Sequence, residues 1–243
     1  LRNRQVGKPL GHWRQLTASQ REQLIANGNT SGNWSDVRAA KGFDPARVRG
    51  CRFDGLVRLG KLDAATLSMH DLTLPVGLSD SHIIACDIGD NVVLRDVRYA
   101  AHMIVGDRVM LLNIDELHTT NYAKFGNGIL KQGEPESVRV EMDLINEAGG
   151  REVPPFDGMT PGDAYLWARY RGDAKLMKRF GEITQSQFDS RRGAYGMIGA
   201  GSVIKSCRII KDVSIGPAAY IKGANKLKNL TINSSRDEPT QIG

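Results

Sequence analysis

Aromatic side chains are scarce in this chain, at 6% of 243 residues, and there are three cysteines, none in a CxxC pair. So few rings do not suit a wide, ring-packed core. Three widely spaced cysteines (Cys51, Cys86, Cys207) exclude a disulfide framework and point to a reducing, cytoplasmic compartment. No apolar run reaches membrane-spanning length and no secretory leader is visible, so no membrane association is expected. There is no P-loop and no Rossmann glycine fingerprint, which removes those routes to a nucleotide cofactor. The net charge is +6, but acids interleave the basic residues (Arg47, Arg49, Arg52, Arg58; Lys222, Lys226, Lys228). Without a basic run or an RNA-binding motif, nucleic acid is disfavoured. A small anionic substrate, such as a nucleotide or a coenzyme A tail, fits the sign of the charge.

Glycine is plentiful, at 27 residues, and it falls in a rhythm. Ile88-Gly89, Leu94, Val105-Gly106 and Leu111 form one block; Ile198-Gly199, Ile204, Ile215-Gly216, Ile221 and Leu227 form another. An aliphatic residue followed by glycine at steps of six is the pattern of hexapeptide-repeat parallel β-helices. Coils of about eighteen residues are expected to stack at strand spacing of about 4.8 Å, with aliphatic ladders inside and small residues at the corners. Leu94 to Val105 and Ile204 to Ile215 are each eleven, one short of two units, which predicts a recurring shortened corner. Cys86 and Cys207 lie in corresponding stretches and read as small inward residues, with a nucleophilic role as the alternative.

The chain divides into four stretches. Residues 1–45 read as a helical and irregular cap, with Thr17 and Gln20 as a capping box and Gly28 as terminator. Residues 46–153 carry the first block of coils, opened by Val48, Phe53, Val57 and Leu59-Gly60. Residues 61–75 carry no clear pattern. The rhythm breaks after residue 115, where "FGNG" marks a tight turn, "SVRVEMDLI" alternates like a strand and "NEAGGRE" follows. Residues 154–193 read as an α-helical insertion: Thr160-Pro161-Gly162-Asp163 starts one helix, and Leu176, Phe180 and Ile183 share a face of a second. Trp167, Tyr165 and Tyr170 are expected to pack the insertion on the coils, or to form a lid. Residues 194–243 resume the coils, and Ile242-Gly243 reads as the opening of a further repeat, so the chain is taken as part of a longer protein.

The order of these motifs carries a resemblance. "LTASQREQLIANGN…W", "FDPARVRGCRFDGLVRLG", "FGNG", "NEAGGRE", "AYLWARYRGD" and "IKSCRIIKDVSIG" resemble an uncharacterised bacterial hexapeptide-repeat family known mainly from Bacteroidetes and spirochaetes. The resemblance covers essentially the whole chain. It implies a mainly β fold, a left-handed parallel β-helix with an N-terminal helical segment and a helical insertion. It also implies kinship with acyltransferases and with the C-terminal domains of sugar-nucleotide pyrophosphorylases. No catalytic residue comes with it.

Among five histidines, His102 and His82 lie within the first block. Acyltransferases of the wider superfamily use a histidine as general base, because imidazole titrates near neutrality. His102 is placed first, beside the shortened corner, and His82 second; for each, a surface or hydrogen-bonded histidine is the commoner reading. No His-Asp or Gly-His step of the acyltransferase kind accompanies them. His82 and His118 lie thirty-six apart, but no third ligand sits near His118, so no metal site is assigned. Asn146, Glu147 and Arg151 of "NEAGGRE" are candidate ligands for a sugar or sugar nucleotide, with Asn127 of "FGNG" beside them; the alternative is a tight turn with an internal Arg–Glu pair. Two readings stand: acyl transfer to a sugar or sugar nucleotide, or a non-catalytic scaffold or binding module. A nucleotidyltransferase-associated regulatory domain is a weaker relative. No tightly bound cofactor is expected; acyl-coenzyme A would be a co-substrate, and a homotrimer the assembly.

Overall fold

The computed structural model describes residues 1–144 and 149–243. Among them, eighteen strands join in one curled, mixed sheet, and two more form a separate hairpin. Nearly all pairings are parallel. One antiparallel pair within the main sheet joins Trp13–Gln15 to Val37–Ala40, and the hairpin pairs Thr66–Met69 with Leu72–Pro75.

Three apolar ladders, aliphatic except at Phe53, run through the parallel register. Phe53, Ile83, Ala100, Leu117, Ile210 and Leu227 form one. Leu59, Ile88, Val105, Ile198, Ile215 and Ile232 form the second. Val48, Leu78, Leu94, Leu111, Ile204 and Ile221 form the third. All but Leu227 are buried, and Leu227 packs against the same single core. Fully burying one such side chain stabilises by about 1.5–3 kcal/mol, so the ladders dominate cohesion.

Between most successive levels the register steps by seventeen, as in Ile83 to Ala100 and Leu94 to Leu111, not by the eighteen expected; Leu78 to Leu94 is sixteen. The eleven-residue step is therefore the rule: the segment from the first ladder to the second is five residues long (Ile83 to Ile88, Ala100 to Val105, Ile210 to Ile215). The corners also differ from expectation. Left-handed backbone recurs there at Ala85, His102, Asp212 and Asn229, with φ of 48° to 54°, so residues other than glycine, most of them polar, turn the chain. The glycines of the Ile-Gly steps serve another purpose. Gly60, Gly89, Gly106 and Gly199 each donate N–H to a carbonyl of the neighbouring strand at 2.8 Å. A Cβ on any of them would strike the backbone of the next level, so close approach and not positive φ requires glycine there.

Residues 1–45 are less helical than expected. α1 (Arg2–Val6) and α2 (Ala18–Ala26) are present, and α2 has the Thr17–Gln20 capping box with Gly28 in left-handed backbone behind it. Thr30–Ser31 and Val37–Ala40, however, pair in parallel with Arg52–Asp54 and Val57–Leu59 and so belong to the sheet. The insertion holds α3 (Pro161–Arg169), capped by Thr160 and Asp163, and α4 (Ala174–Ser186), capped by Asp173. Trp167 is buried against Phe180, with ring centroids 5.1 Å apart, while Tyr165 and Tyr170 are exposed. The strand expected in "SVRVEMDLI" is absent over its described part; a short 3-10 turn (Glu136–Val138) and a single antiparallel bridge from Met142 to Val153 replace it. The insertion does not disturb the stack: Met110–His118 pairs directly with Val203–Ile215.

Candidate functional site

His102 sits on a corner, in left-handed backbone with φ 54°, and its side chain is exposed. The seventeen-residue step brings Thr119 alongside it. His102 Nδ1 lies 3.2 Å from the Thr119 carbonyl oxygen. A carbonyl oxygen only accepts, so Nδ1 is the donor, and in the neutral tautomer that this bond selects Nε2 carries the lone pair. Tyr195 packs edge-on against the ring, with centroids 5.6 Å apart. A cavity of about 300 Å³ opens here, lined by His102, Thr119, Asn121, Gly193 and Tyr195 among others. Its two walls are the segments by which the chain leaves the sheet for the insertion and returns. Polar contacts fix both: Thr120 N and Oγ1 donate to Asp212 Oδ1 at 2.6 and 2.9 Å, and Gly193 N donates to the Asn121 carbonyl at 3.0 Å.

Behind Tyr195 lies a buried ionic cluster. Asp87, 2% exposed, accepts from Arg58 through both carboxylate oxygens and from Arg2 at 2.7 and 3.0 Å. The Arg58 guanidinium lies 4.4 Å over the Trp13 ring and that of Arg2 lies 4.8 Å over Tyr195. Arg2 also reaches the Tyr195 hydroxyl at 3.3 Å. Burial raises the Tyr195 phenol above its ordinary range, against the opposing pull of Arg2. The cluster anchors α1 and fixes the tyrosine that backs His102.

His82 occupies a sheet face and not a corner. Its Nε2 lies 2.6 Å from Asp54 Oδ2, and Asp54 also accepts from Arg52 Nε at 2.8 Å. The hydrogen bond from His82, with help from Arg52, holds the Asp54 carboxyl below the usual carboxylate range. A His–carboxylate pair thus exists, but across twenty-eight residues, which no local motif could reveal. Tyr99 stands between His82 and His118, its ring centroid 6.2 Å from one and 5.8 Å from the other. His118 Nδ1 comes within 2.9 Å of Glu116 Oε1 but off the hydrogen-bonding line, so it remains unpaired. Burial, and then Lys211, lower the His118 imidazole below its ordinary range. Among the described residues no group of three or more His, Cys, Asp or Glu is arranged to hold a metal ion.

The remaining sequence candidates lie elsewhere. Asn127 is buried; its Nδ2 donates to the Lys124 carbonyl at 2.8 Å and its Oδ1 accepts from Asp157 N at 2.8 Å, so its amide closes a turn. Arg151 is exposed, and its neighbour Glu152 pairs instead with Arg171 at 3.3 Å. Asn146 and Glu147 lie outside the described residues. All three cysteines are free and buried, and burial pushes the Cys51 and Cys86 thiols up to about 12. Such thiols are inert as nucleophiles at neutral pH. Among the described residues no helix is long and apolar enough to cross a membrane.

The chain is thus a mainly β protein with a curled, largely parallel sheet and a helical insertion at one corner. It belongs to the bacterial family described as a domain of unknown function (DUF4954), whose model matches residues 13–243. It is similar to an uncharacterized protein of Treponema pallidum (strain Nichols), with 51% identity over 243 residues. All of the chain is covered, and it spans 34% of that relative's length.

Proposed function

We propose that the chain winds as a left-handed parallel β-helix of the hexapeptide-repeat kind, and that it supports acyl transfer to a sugar or sugar nucleotide. The seventeen-residue parallel register and the stacked Ile-Gly steps support the first part. The observation that carries the second is the posture of His102: Nδ1 tied to the Thr119 carbonyl, Nε2 left for a substrate, and a cavity beside it. In this reading Nε2 takes the proton of the acceptor hydroxyl as its oxygen attacks the thioester carbonyl of acyl-coenzyme A. The C–S bond breaks, and the imidazolium returns the proton to the leaving thiolate. A homotrimer would close the open side of the cavity with a second copy.

The experiment is a thiol-release assay on the full-length protein, with acetyl-coenzyme A and a panel of sugar nucleotides. His102→Ala should lower the rate roughly a hundredfold to ten-thousandfold, the usual share of a general base, while His82→Ala leaves it within a few-fold. A competing reading, a non-catalytic binding module, draws on the exposed Tyr165 and Tyr170 of the insertion and on the engagement of His82 with Asp54. It prevails if neither acyl-coenzyme A nor any sugar nucleotide shifts the melting temperature.

A further inference from the structure

On a different part of the surface, three arginines converge on one groove. The short 3-10 turn Pro45–Arg47 leads into the strand Val48–Arg49, which pairs with Gly77–Ser79, and that strand pairs in turn with Val93–Val97. In register, Arg49 faces Ser79 and Ser79 faces Arg95. Arg49 and Arg95 are therefore two strand spacings apart, roughly 9–10 Å at the backbone. The strand between them contributes no bulk: Gly77 has no side chain and Ser79 a short one. The result is a groove of about 270 Å³ floored by Gly77 and Ser79 and flanked by Arg47, Arg49 and Arg95.

The charges in the groove do not balance. Its carboxylate, Asp44, accepts from Ala46 N at 3.0 Å and stands 3.2 Å from Arg47 Nε. The Arg47 contact is off line, and this buried Nε donor has no hydrogen-bond partner. Arg95 reaches only the Pro75 carbonyl, at 3.5 Å. Among the described residues neither Arg49 nor Arg95 has a carboxylate within ion-pair distance. Guanidinium groups gathered this way repel one another unless an anion bridges them, and their planar forks match the oxygens of a phosphoryl group.

We infer that this groove binds a phosphoryl group, with Arg49 and Arg95 clamping it from either side and the positive charge of Arg47 on its flank. The volume leaves room for a small organic moiety beyond the phosphate, so the ligand class is a phosphomonoester. None of these residues lines the His102 cavity, and the site stands or falls independently of acyl transfer.

The test is a calorimetric titration of the full-length protein with inorganic phosphate, and then with ribose 5-phosphate against ribose, at ionic strength held constant with sodium chloride. Saturable binding of both phosphates but not of ribose is expected. Arg49→Gln and Arg95→Gln should each weaken it tenfold or more, whereas Arg208→Gln, on another strand, should change it less than twofold. Ser79→Leu, which fills the floor and keeps every charge, should weaken it as well, so the result does not hang on one variant's folding. Binding that fails to saturate, or that is equal in wild type and in both arginine variants, overturns the inference.

Discussion

Replacing Asp87 with asparagine keeps the shape of the side chain and removes its charge. The carboxylate is 2% exposed and holds two guanidinium groups at once. The Arg58 side chain, 5% exposed, cannot turn to water without leaving the Trp13 ring. Arg2, at 14%, has more freedom and keeps the Leu56 carbonyl at 2.9 Å. The loss is therefore set mainly by one stranded cation, and breaking a buried pair from one side costs about 3–5 kcal/mol. For a domain of this size 1 kcal/mol moves the midpoint by roughly 2–4 °C, so Asp87→Asn should melt about 6–20 °C lower. The cycle with Arg58→Met isolates the cause. In the double variant the stranded charge is gone, and the combined loss should fall short of the sum of the single losses by about 2 kcal/mol or more. The assay is reversible thermal or urea unfolding followed by circular dichroism. Additivity within about 0.5 kcal/mol would refute the argument, since it would mean that the two side chains do not act as a pair.

Two further outcomes follow from the same packing logic. Gly199→Ala should destabilise by about 1–3 kcal/mol, because its methyl would overlap the Gly216–Pro217 backbone and neither side can yield. Gly172→Ala, where a methyl meets nothing within 4 Å, should stay within about 0.5 kcal/mol in the same urea titration. The lowered His118 value fixes a pH dependence. Folding disfavours the protonated ring, so below the unfolded value, about 6.5, the unfolded chain binds more protons. Stability should therefore fall as pH drops through 6.5 toward the folded value and level off beneath it. His118→Gln should flatten that part of the curve, and the His118 imidazole resonance should titrate below 6.5.

Sequence reading and structure agree where burial alone decides. Ile88, Val105, Ile198 and Ile215 were selected by spacing, and all are buried, because a ladder residue has to be apolar at every level. The agreement ends where contacts are set by something other than the repeat. Trp13–Gln15 is three residues long with one buried side chain, too short for any period to register, and it pairs antiparallel because the chain doubles back. The hairpin at 66–75 alternates, but it turns at His70, in left-handed backbone with φ 52°, a position that glycine or asparagine would have advertised and histidine does not. "SVRVEMDLI" alternates too, yet Val138 and Met142 are 45% and 43% exposed; alternation makes a strand only where a sheet edge is available to pair with it.

The same distinction separates the parts of the site. His102 was legible as a polar residue at a corner. Its partner Thr119 was not, because a coil of eighteen places Thr120 opposite it, and one residue of error exchanges inward for outward positions. With the seventeen-residue step in hand, the runs Ala85–His102–Thr119 and Asp212–Asn229 follow from counting; only the observed pairing of Leu117 with Ile210 joins them across the insertion. Asp54 and His82 lie beyond even that count, since the two levels that hold them are twenty-nine or thirty residues apart: Phe53 to Ile83 is thirty and Leu59 to Ile88 twenty-nine. The hairpin at 66–75 lengthens that level, and the extra chain also carries Pro75 to the rim of the arginine groove. Departures from the repeat, then, are where side chains of unrelated sequence position meet. The clefts at His102 and at Arg49–Arg95 each lie beside such a departure.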